Sequence, residues 1–131
     1  MGENIKKLLK KIYDDETSIP DVLGFLDSSS IFLRAHAIRA LGKKLKKFPH
    51  NLSEEQLNEI THKLRLIAGY EENMTSPLIG IYTVSHFAIA CLFQINTPQS
   101  LDLAREFLES LSANQELTMK FINTWGEFLS D

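Results

Sequence analysis

The chain has 131 residues, of which 44% are hydrophobic, 24% charged and 9% aromatic, and its formal net charge is −3 at pH 7. This composition is typical of one globular domain, which we expect to span residues 1–131 and to need no structural metal. The single cysteine, Cys91, excludes an intramolecular disulfide framework and a CxxC motif. With no secretory signal pattern in the first residues, the sequence predicts a cytoplasmic protein.

Every sizeable segment has helical periodicity, and none alternates like a strand. In chain order, we predict helices over about residues 4–13, 19–26, 31–48, 53–67, 77–95, 97–111 and 114–129. Ser53 and Gln56 have capping-box spacing at the start of the fourth helix. Pro77 is predicted to begin the fifth helix, and Thr97 with Pro98 the sixth. The short linkers are those expected of antiparallel helix pairs.

The third, fifth and seventh predicted helices resemble one another in sequence. LRAHAIRALGKKL begins at Leu33, and shifts of 51 and 84 residues superpose it on the later two helices. Leu41 then matches Leu92 and Trp125, and Gly42 matches Gly126. Helix pairs that repeat every 30–50 residues are the signature of an α-solenoid.

The first of these pairs, DVLGFLDSSSIFLRAHAIRALGKKL, resembles a HEAT repeat. The residues that carry the match are Asp27, Arg34, Ala37, Ala40, Leu41 and Gly42. The resemblance implies stacked antiparallel helix pairs and a scaffold or protein-binding role. We therefore expect an all-α fold: a short right-handed α-solenoid of about three antiparallel helix pairs with an N-terminal capping helix.

Arg34 lies on the inward side of the third predicted helix. We expect it to be partly buried and held by Asp27 or by carbonyls at a helix end, because charges are rarely buried unpaired. The alternative is an arginine that reaches a carboxylate of a partner. The later copies carry Ser85 and Thr118 at this position, so a ladder of arginines would be interrupted.

The outward faces of the three repeated helices predict one continuous surface, because the second helices of a solenoid line one side together. It runs from basic through apolar to acidic. Its residues are His36, Arg39, Lys43, Lys46 and Lys47 from the third helix; Ile79, Thr83, Phe87, Ala90 and Gln94 from the fifth; and Glu116, Lys120, Asn123 and Glu127 from the seventh.

If this composite surface binds a partner, Phe87 is its expected anchor, because central aromatic and Arg residues carry much of an interface's energy. Two alternatives stay open. Charged outer faces are the default for amphipathic helices, and the uncharged fifth helix suits a central element buried on all sides, with Phe87 in the core.

Charge is distributed unevenly along the chain. Residues 1–70 hold twelve Lys/Arg and nine Asp/Glu, whereas residues 71–131 hold two and eight. The acidic half argues against a dedicated nucleic-acid binder. It also offers an alternative binding face on the sixth helix, where Asp102, Glu106 and Glu109 project together at helical spacing.

The sequence contains no pattern typical of a catalytic or cofactor site. Its glycines are scattered singly, HExxH is absent, and the four histidines share no ligand spacing. We predict no enzyme, no cofactor and no small-molecule substrate. The fifth helix is too short and interrupted for a membrane span, and the basic first helix suits a solenoid cap better than a membrane anchor.

These features predict a non-catalytic module that binds another protein. A stand-alone array this small suits the occlusion of one target. Its most concrete form is a bacterial immunity-type protein that neutralises a cognate toxin domain, by analogy with small helical immunity families. The alternatives are an accessory or regulatory subunit or scaffold of a larger assembly and, third, a nucleic-acid-binding helical repeat.

Overall fold

The computed structural model describes residues 2–47, 52–79, 82–110 and 115–130. These residues are predominantly helical, which confirms the predicted all-α class. The predicted ends of the third helix at 48 and of the sixth at 111, and the predicted start of the seventh at 114, lie outside the described residues. In chain order the elements are α1 (Gly2–Tyr13), α2 (Ile19–Gly24) with a 3₁₀ turn (Phe25–Asp27), α3 (Ile31–Lys47), α4 (Glu54–Ala68), α5 (Glu71–Thr75), β1 (Pro77–Ile79), β2 (Tyr82–Thr83), α6 (Val84–Ile95), α7 (Pro98–Ser110) and α8 (Gln115–Leu129).

Local capping chemistry begins two of these helices where the sequence predicts. At α4 the Gln56 amide N–H donates to Ser53 Oγ at 3.1 Å, and the Ser53 amide N–H donates to Gln56 Oε1 at 2.9 Å. At α7 the Ser100 and Thr97 amides donate to each other's hydroxyl oxygens at 3.1 and 2.9 Å. Reciprocal bonds of this kind satisfy N–H groups that have no partner within the helix.

The start of the predicted fifth helix is wrong. Pro77 instead begins a two-stranded antiparallel hairpin that follows the short helix α5, and in this hairpin Pro77 pairs with Thr83 and Ile79 with Tyr82. The long helix begins only at Val84. The prediction that no segment forms a strand is therefore wrong at this hairpin.

Proline chemistry and a late cap explain this boundary. Ser76 is extended, with φ −90° and ψ 109°, as a residue before proline usually is. The helix starts where the Thr83 amide N–H donates to His86 Nδ1 at 3.0 Å, so Thr83 is the buried N-cap of α6. Ile79 lies in β1. The prediction that Ile79 and Thr83 lie on the outer face of a helix is wrong.

Helix α6 lies at the centre of the fold and packs against α3, α4, α7 and α8. All nine residues from Val84 to Leu92 are buried. This environment explains why α6 carries no charged residue, since a helix enclosed by neighbours has no solvated face for charge. The alternative interpretation of this helix, a central element buried all round, is confirmed.

Arg34 is buried, as the helical phase predicts, but its partner differs from the expected one. Its guanidinium pairs with Glu72 of α5 and lies 5.9 Å from the centre of the Tyr70 ring. Asp27 instead binds Lys63 of α4 at 2.7 Å. The expected contact between Arg34 and Asp27 is therefore wrong. Asp27 pairs with Lys63 of α4, and the carboxylate that pairs with Arg34 comes from α5, a helix that the sequence analysis did not predict.

Candidate functional site

A cleft of about 760 Å³ lies where the C-terminal ends of α1, α3 and α8 meet. We call it the basic cleft, because five of its lining side chains are cations. Its lining comprises Ile12, Tyr13, Asp15, Arg39, Ala40, Lys43, Lys44, Lys46, Lys47, Leu129 and Ser130.

Arg39 is the most constrained cation of the basic cleft. Its Nε and Nη2 donate to the Phe128 carbonyl oxygen near the end of α8, at 3.2 and 3.0 Å. The guanidinium also lies 5.0 Å from the Phe128 ring centre and 5.5 Å from that of Tyr13. Arg39 therefore ties α3 to both α1 and α8, which fixes its charge at the wall of the cleft.

Three of the lysines, Lys44, Lys46 and Lys47, are held by oxygen atoms of residues just beyond the ends of α1 and α8. Lys46 Nζ donates to Ser130 Oγ at 3.0 Å, and Lys44 Nζ donates to the Asp14 carbonyl oxygen at 2.9 Å. Lys47 Nζ lies 2.9 Å from the carboxylate of Asp15. Part of this arrangement is structural, because cations near a helix C-terminus are favoured by its carbonyls and dipole.

In the sequence, His36 belongs to the basic stripe of α3. In the fold it is half-buried against Tyr13 of α1 and Phe32 of its own helix. Its Nδ1 lies 2.5 Å from the Tyr13 hydroxyl, and its ring meets the Phe32 ring edge to face at 4.5 Å between centres. Burial, and secondarily the charge of Arg39, lowers the pKa of His36. Burial in turn raises the pKa of Tyr13. His36 is therefore an internal contact between two helices rather than part of the cleft wall.

The apolar middle of the composite surface is not a surface in the folded chain. Phe87 is only 3% exposed and Ala90 only 1%. Three rings of α8 cover Phe87, with centroid distances of 5.3 Å to Phe121, 5.8 Å to Trp125 and 5.5 Å to Phe128. The prediction of Phe87 as an exposed anchor is wrong, because α8 packs on the face of α6 that the sequence analysis left open.

Gln94 is also engaged inside the molecule. Its Nε2 donates to the Gly42 carbonyl oxygen at 2.8 Å, and its Oε1 accepts from Trp125 Nε1 at 2.8 Å. One side chain thus links α3, α6 and α8. Its predicted role as a partner contact is corrected to that of a half-buried polar bridge.

The two ends of the composite surface are accessible, and they lie on different helices, α3 and α8. On α8 the side chains of Lys120, Asn123 and Glu127 are exposed at spacings of three and four residues. The cations of α3 line the basic cleft instead. The continuous surface that joined them in sequence is therefore interrupted where α6 is buried.

The alternative acidic face is exposed along α7. Asp102, Glu106 and Glu109 all lie at the surface, and the Nη1 of Arg105 stands 4.0 Å from Asp102 Oδ1. Their spacings of four and three residues place the three carboxylates on one side of the helix. We call this set the acidic face.

A second cavity, of about 530 Å³, is mostly apolar and involves α3, α4, α6 and α8. Side chains that line it include Leu45, Leu52, Leu57, Phe93, Ile122 and Trp125. Of these, Leu52, Leu57, Phe93 and Ile122 are only partly buried and extend the core to this opening.

Two side chains of reactive types, Cys91 and His86, are buried. In the part of the chain that the structure describes, no three His, Cys, Asp or Glu side chains are grouped as metal ligands. Burial raises the pKa of the Cys91 thiol to about 12, so the nucleophilic thiolate does not form at neutral pH. His86 is buried, with burial lowering its pKa, and its Nδ1 is engaged at the N-cap of α6.

The sequence analysis missed Tyr13, Asp15 and Ser130 as neighbours of the α3 cations. No local signal places them there, because they come from chain segments up to 117 residues apart that meet only in the folded molecule. The signal that the sequence did contain is the run of lysines in the last turn of α3, which indicates a concentration of positive charge at that end of the helix.

Comparisons with protein-family models, curated proteins and solved structures found no match for this chain. None of the described helices is both long enough and apolar enough to pass through a membrane.

Proposed function

We propose that this chain is a non-catalytic protein-binding module, built as a short HEAT-like solenoid with α1 as its N-terminal cap. Helix packing supports this arrangement. Helix α6 contacts both α3 and α8, as the middle of three stacked second helices would, and α4 contacts α7 as two first helices would. Helix α1 packs on α3, at the open end of such a stack.

The observation that carries the binding proposal is the exposed acidic face of α7. Asp102, Glu106 and Glu109 present three carboxylates on one side of a helix, with Arg105 as their only cationic neighbour within 4 Å among the described residues. Three aligned charges steer a basic partner and raise its association rate. The partner that fits them is a protein with a positively charged surface.

In its most concrete form, the module is a bacterial immunity-type protein that acts in the cytoplasm. A toxin that attacks nucleic acid needs a basic active site to hold phosphates. The acidic face would occupy the place of those phosphates and keep the substrate out. Occlusion needs no chemistry from the immunity partner, which agrees with a chain whose thiol is buried and in which His36 and His86 pack against neighbouring side chains.

The experiment begins with the partner, recovered from the native host by crosslinking to the full chain. Its association rate is then measured against a variant carrying Asp102→Lys, Glu106→Lys and Glu109→Lys. We expect association to slow by about tenfold or more at low salt, and the salt dependence to flatten, because steering depends on screened charge.

The matched control reverses three exposed carboxylates elsewhere, Glu16→Lys, Glu55→Lys and Glu59→Lys, and so changes the net charge equally. A specific face predicts a much smaller effect in the control. Equal slowing in both variants, or an unchanged rate in the α7 variant, would exclude the acidic face as the binding site.

A further inference from the structure

The second cavity, of about 530 Å³, lies between α3, α4, α6 and α8, and none of its described lining residues belongs to the acidic face of α7. Of its twelve described lining residues, nine are aliphatic or aromatic, and we call it the apolar cavity. Small-ligand sites have volumes of this order and are mostly apolar, with a few polar groups that orient the ligand. We propose that the apolar cavity binds a small amphiphile, with its apolar chain inside the cavity and an anionic head group at Lys46.

The polar side chains in the wall of the apolar cavity are already bonded to the protein. Gln94 Nε2 donates to the Gly42 carbonyl oxygen at 2.8 Å, and Gln94 Oε1 accepts from Trp125 Nε1 at 2.8 Å. A polar ligand group buried against this wall would lose its hydrogen bonds to water without replacing them. The part of the ligand inside the cavity is therefore apolar.

Lys46 lines the apolar cavity and is exposed, so it stands at the opening. Its Nζ donates to Ser130 Oγ at 3.0 Å and to the Gly126 carbonyl oxygen at 3.4 Å, and both acceptors are uncharged. An ammonium group has three N–H donors, so one remains for a ligand. Among the described residues, neither Asp nor Glu lines the cavity, and Lys46 forms no ion pair. A carboxylate or a similar monoanion is the head group that fits Lys46.

On the α8 side, a glycine leaves part of the apolar cavity open. Ile122, Trp125, Gly126 and Leu129 all line it, and their spacing places them on one face of the helix. A Cβ on Gly126 would meet nothing within 4 Å. A larger side chain at this position would therefore project towards the cavity and occupy space that the ligand needs.

The surroundings of the apolar cavity favour a small molecule over a protein. None of the large apolar side chains that are exposed on the described chain lines the cavity. A protein interface draws most of its energy from large side chains packed around its centre, and this opening lacks an exposed apolar rim to receive them. A single alkyl chain needs only the concave wall that four helices supply.

The first test is calorimetric titration of the full chain with sodium decanoate below its micelle concentration. We expect saturable binding with a Kd of about 1 mM or below. Lys46→Gln should weaken it by about threefold to tenfold, because a charge-assisted contact is lost. Decyltrimethylammonium, which has the same alkyl chain and a cationic head, should bind more weakly than decanoate and should not be weakened by Lys46→Gln. The matched control is Lys6→Gln, an exposed cation of α1 that does not line the cavity, and it should bind decanoate like the unaltered chain.

The second test fills the apolar cavity. Gly126→Leu should weaken decanoate binding by about tenfold or more while the chain keeps its helical circular dichroism and melting temperature, because the added Cβ has room. Asn123→Leu adds the same side chain at an exposed position of α8 outside the cavity and should leave binding unchanged.

The proposal is overturned if decanoate does not saturate the chain at millimolar concentration, if both leucine variants weaken binding equally, or if decyltrimethylammonium binds as tightly as decanoate. It is also overturned if a leucine-rich amphipathic peptide binds more tightly than decanoate, or if the chain is a dimer that Gly126→Leu dissociates. The cavity would then receive a helix of another protein or a second copy of this chain.

Discussion

Helices α3 and α6 carry matching sequence patterns, yet their corresponding outward faces have opposite environments. A shift of 51 residues aligns His36 with Phe87 and Arg39 with Ala90. Arg39 lines an open cleft, whereas Phe87 and Ala90 are buried. The position of a residue in a helix determines the direction in which its side chain projects. Whether that side chain is buried depends on which other element packs against that face. Here α8 packs over Phe87 of α6 with three aromatic rings, and it meets α3 with residues of its own last turn.

The largest expected effect comes from Phe87. Phe87→Ala removes a ring that three aromatic residues of α8 enclose, so we expect the free energy of unfolding to fall by about 3–5 kcal/mol. The measurement is equilibrium denaturation in urea. His36→Ala, at the aligned position of α3, should cost much less because His36 is only half-buried. Equal losses at the two positions would mean that the two faces do not differ in burial.

Two glycines sharpen the comparison between α3 and α8, since Gly42 and Gly126 occupy equivalent positions in the sequence repeat. A Cβ on Gly42 would lie 2.9 Å from Leu129 Cδ2 and 3.0 Å from Gln94 Oε1. A Cβ on Gly126 would meet nothing within 4 Å. The absence of a side chain at Gly42 therefore allows Leu129 of α8 and Gln94 of α6 to approach α3 closely. No such close contact exists at Gly126.

We expect opposite signs for the two alanine variants. Gly42→Ala should destabilise by about 1 kcal/mol, because overpacking outweighs the gain in helix propensity. Gly126→Ala, in the exposed interior of α8, should stabilise by about 0.5–1 kcal/mol. Thermal denaturation of both variants checks this. A stabilising Gly42→Ala would contradict the tight α3–α8 contact.

The smallest expected effect is a pH dependence of stability that arises from His36 and His86. Burial lowers the pKa of both below the ordinary histidine value of 6.5, so the unfolded chain binds more protons in that range. The stability contributed by their neutral forms is present above pH 6.5 and is lost as pH falls through the folded pKa values.

Denaturation midpoints measured between about pH 5 and pH 7 test this. They should rise with pH in the unaltered chain, and His36→Gln should flatten part of the slope. A slope of the opposite sign would mean that the folded state favours protonated histidine.

Much of the helical framework could be predicted because its causes are local. The capping box at Ser53 and the cap at Thr97 act within three residues, and the stripes of apolar residues follow the pitch of one helix. The prediction failed at Pro77, where the hairpin depends on pairing with a second strand. It also missed Glu72 as the partner of Arg34, because that ion pair joins residues 38 positions apart.

For the candidate sites, the sequence by itself determined which helix faces are charged and which are apolar. The cations of α3 and the carboxylates of α7 could be named because their spacing places them on one side of each helix. Only the tertiary structure decided that α8 closes over Phe87 and that Tyr13, Asp15 and Ser130 complete the basic cleft. The physical reason is that burial and charge balance at a surface depend on long-range contacts, which helical periodicity does not encode.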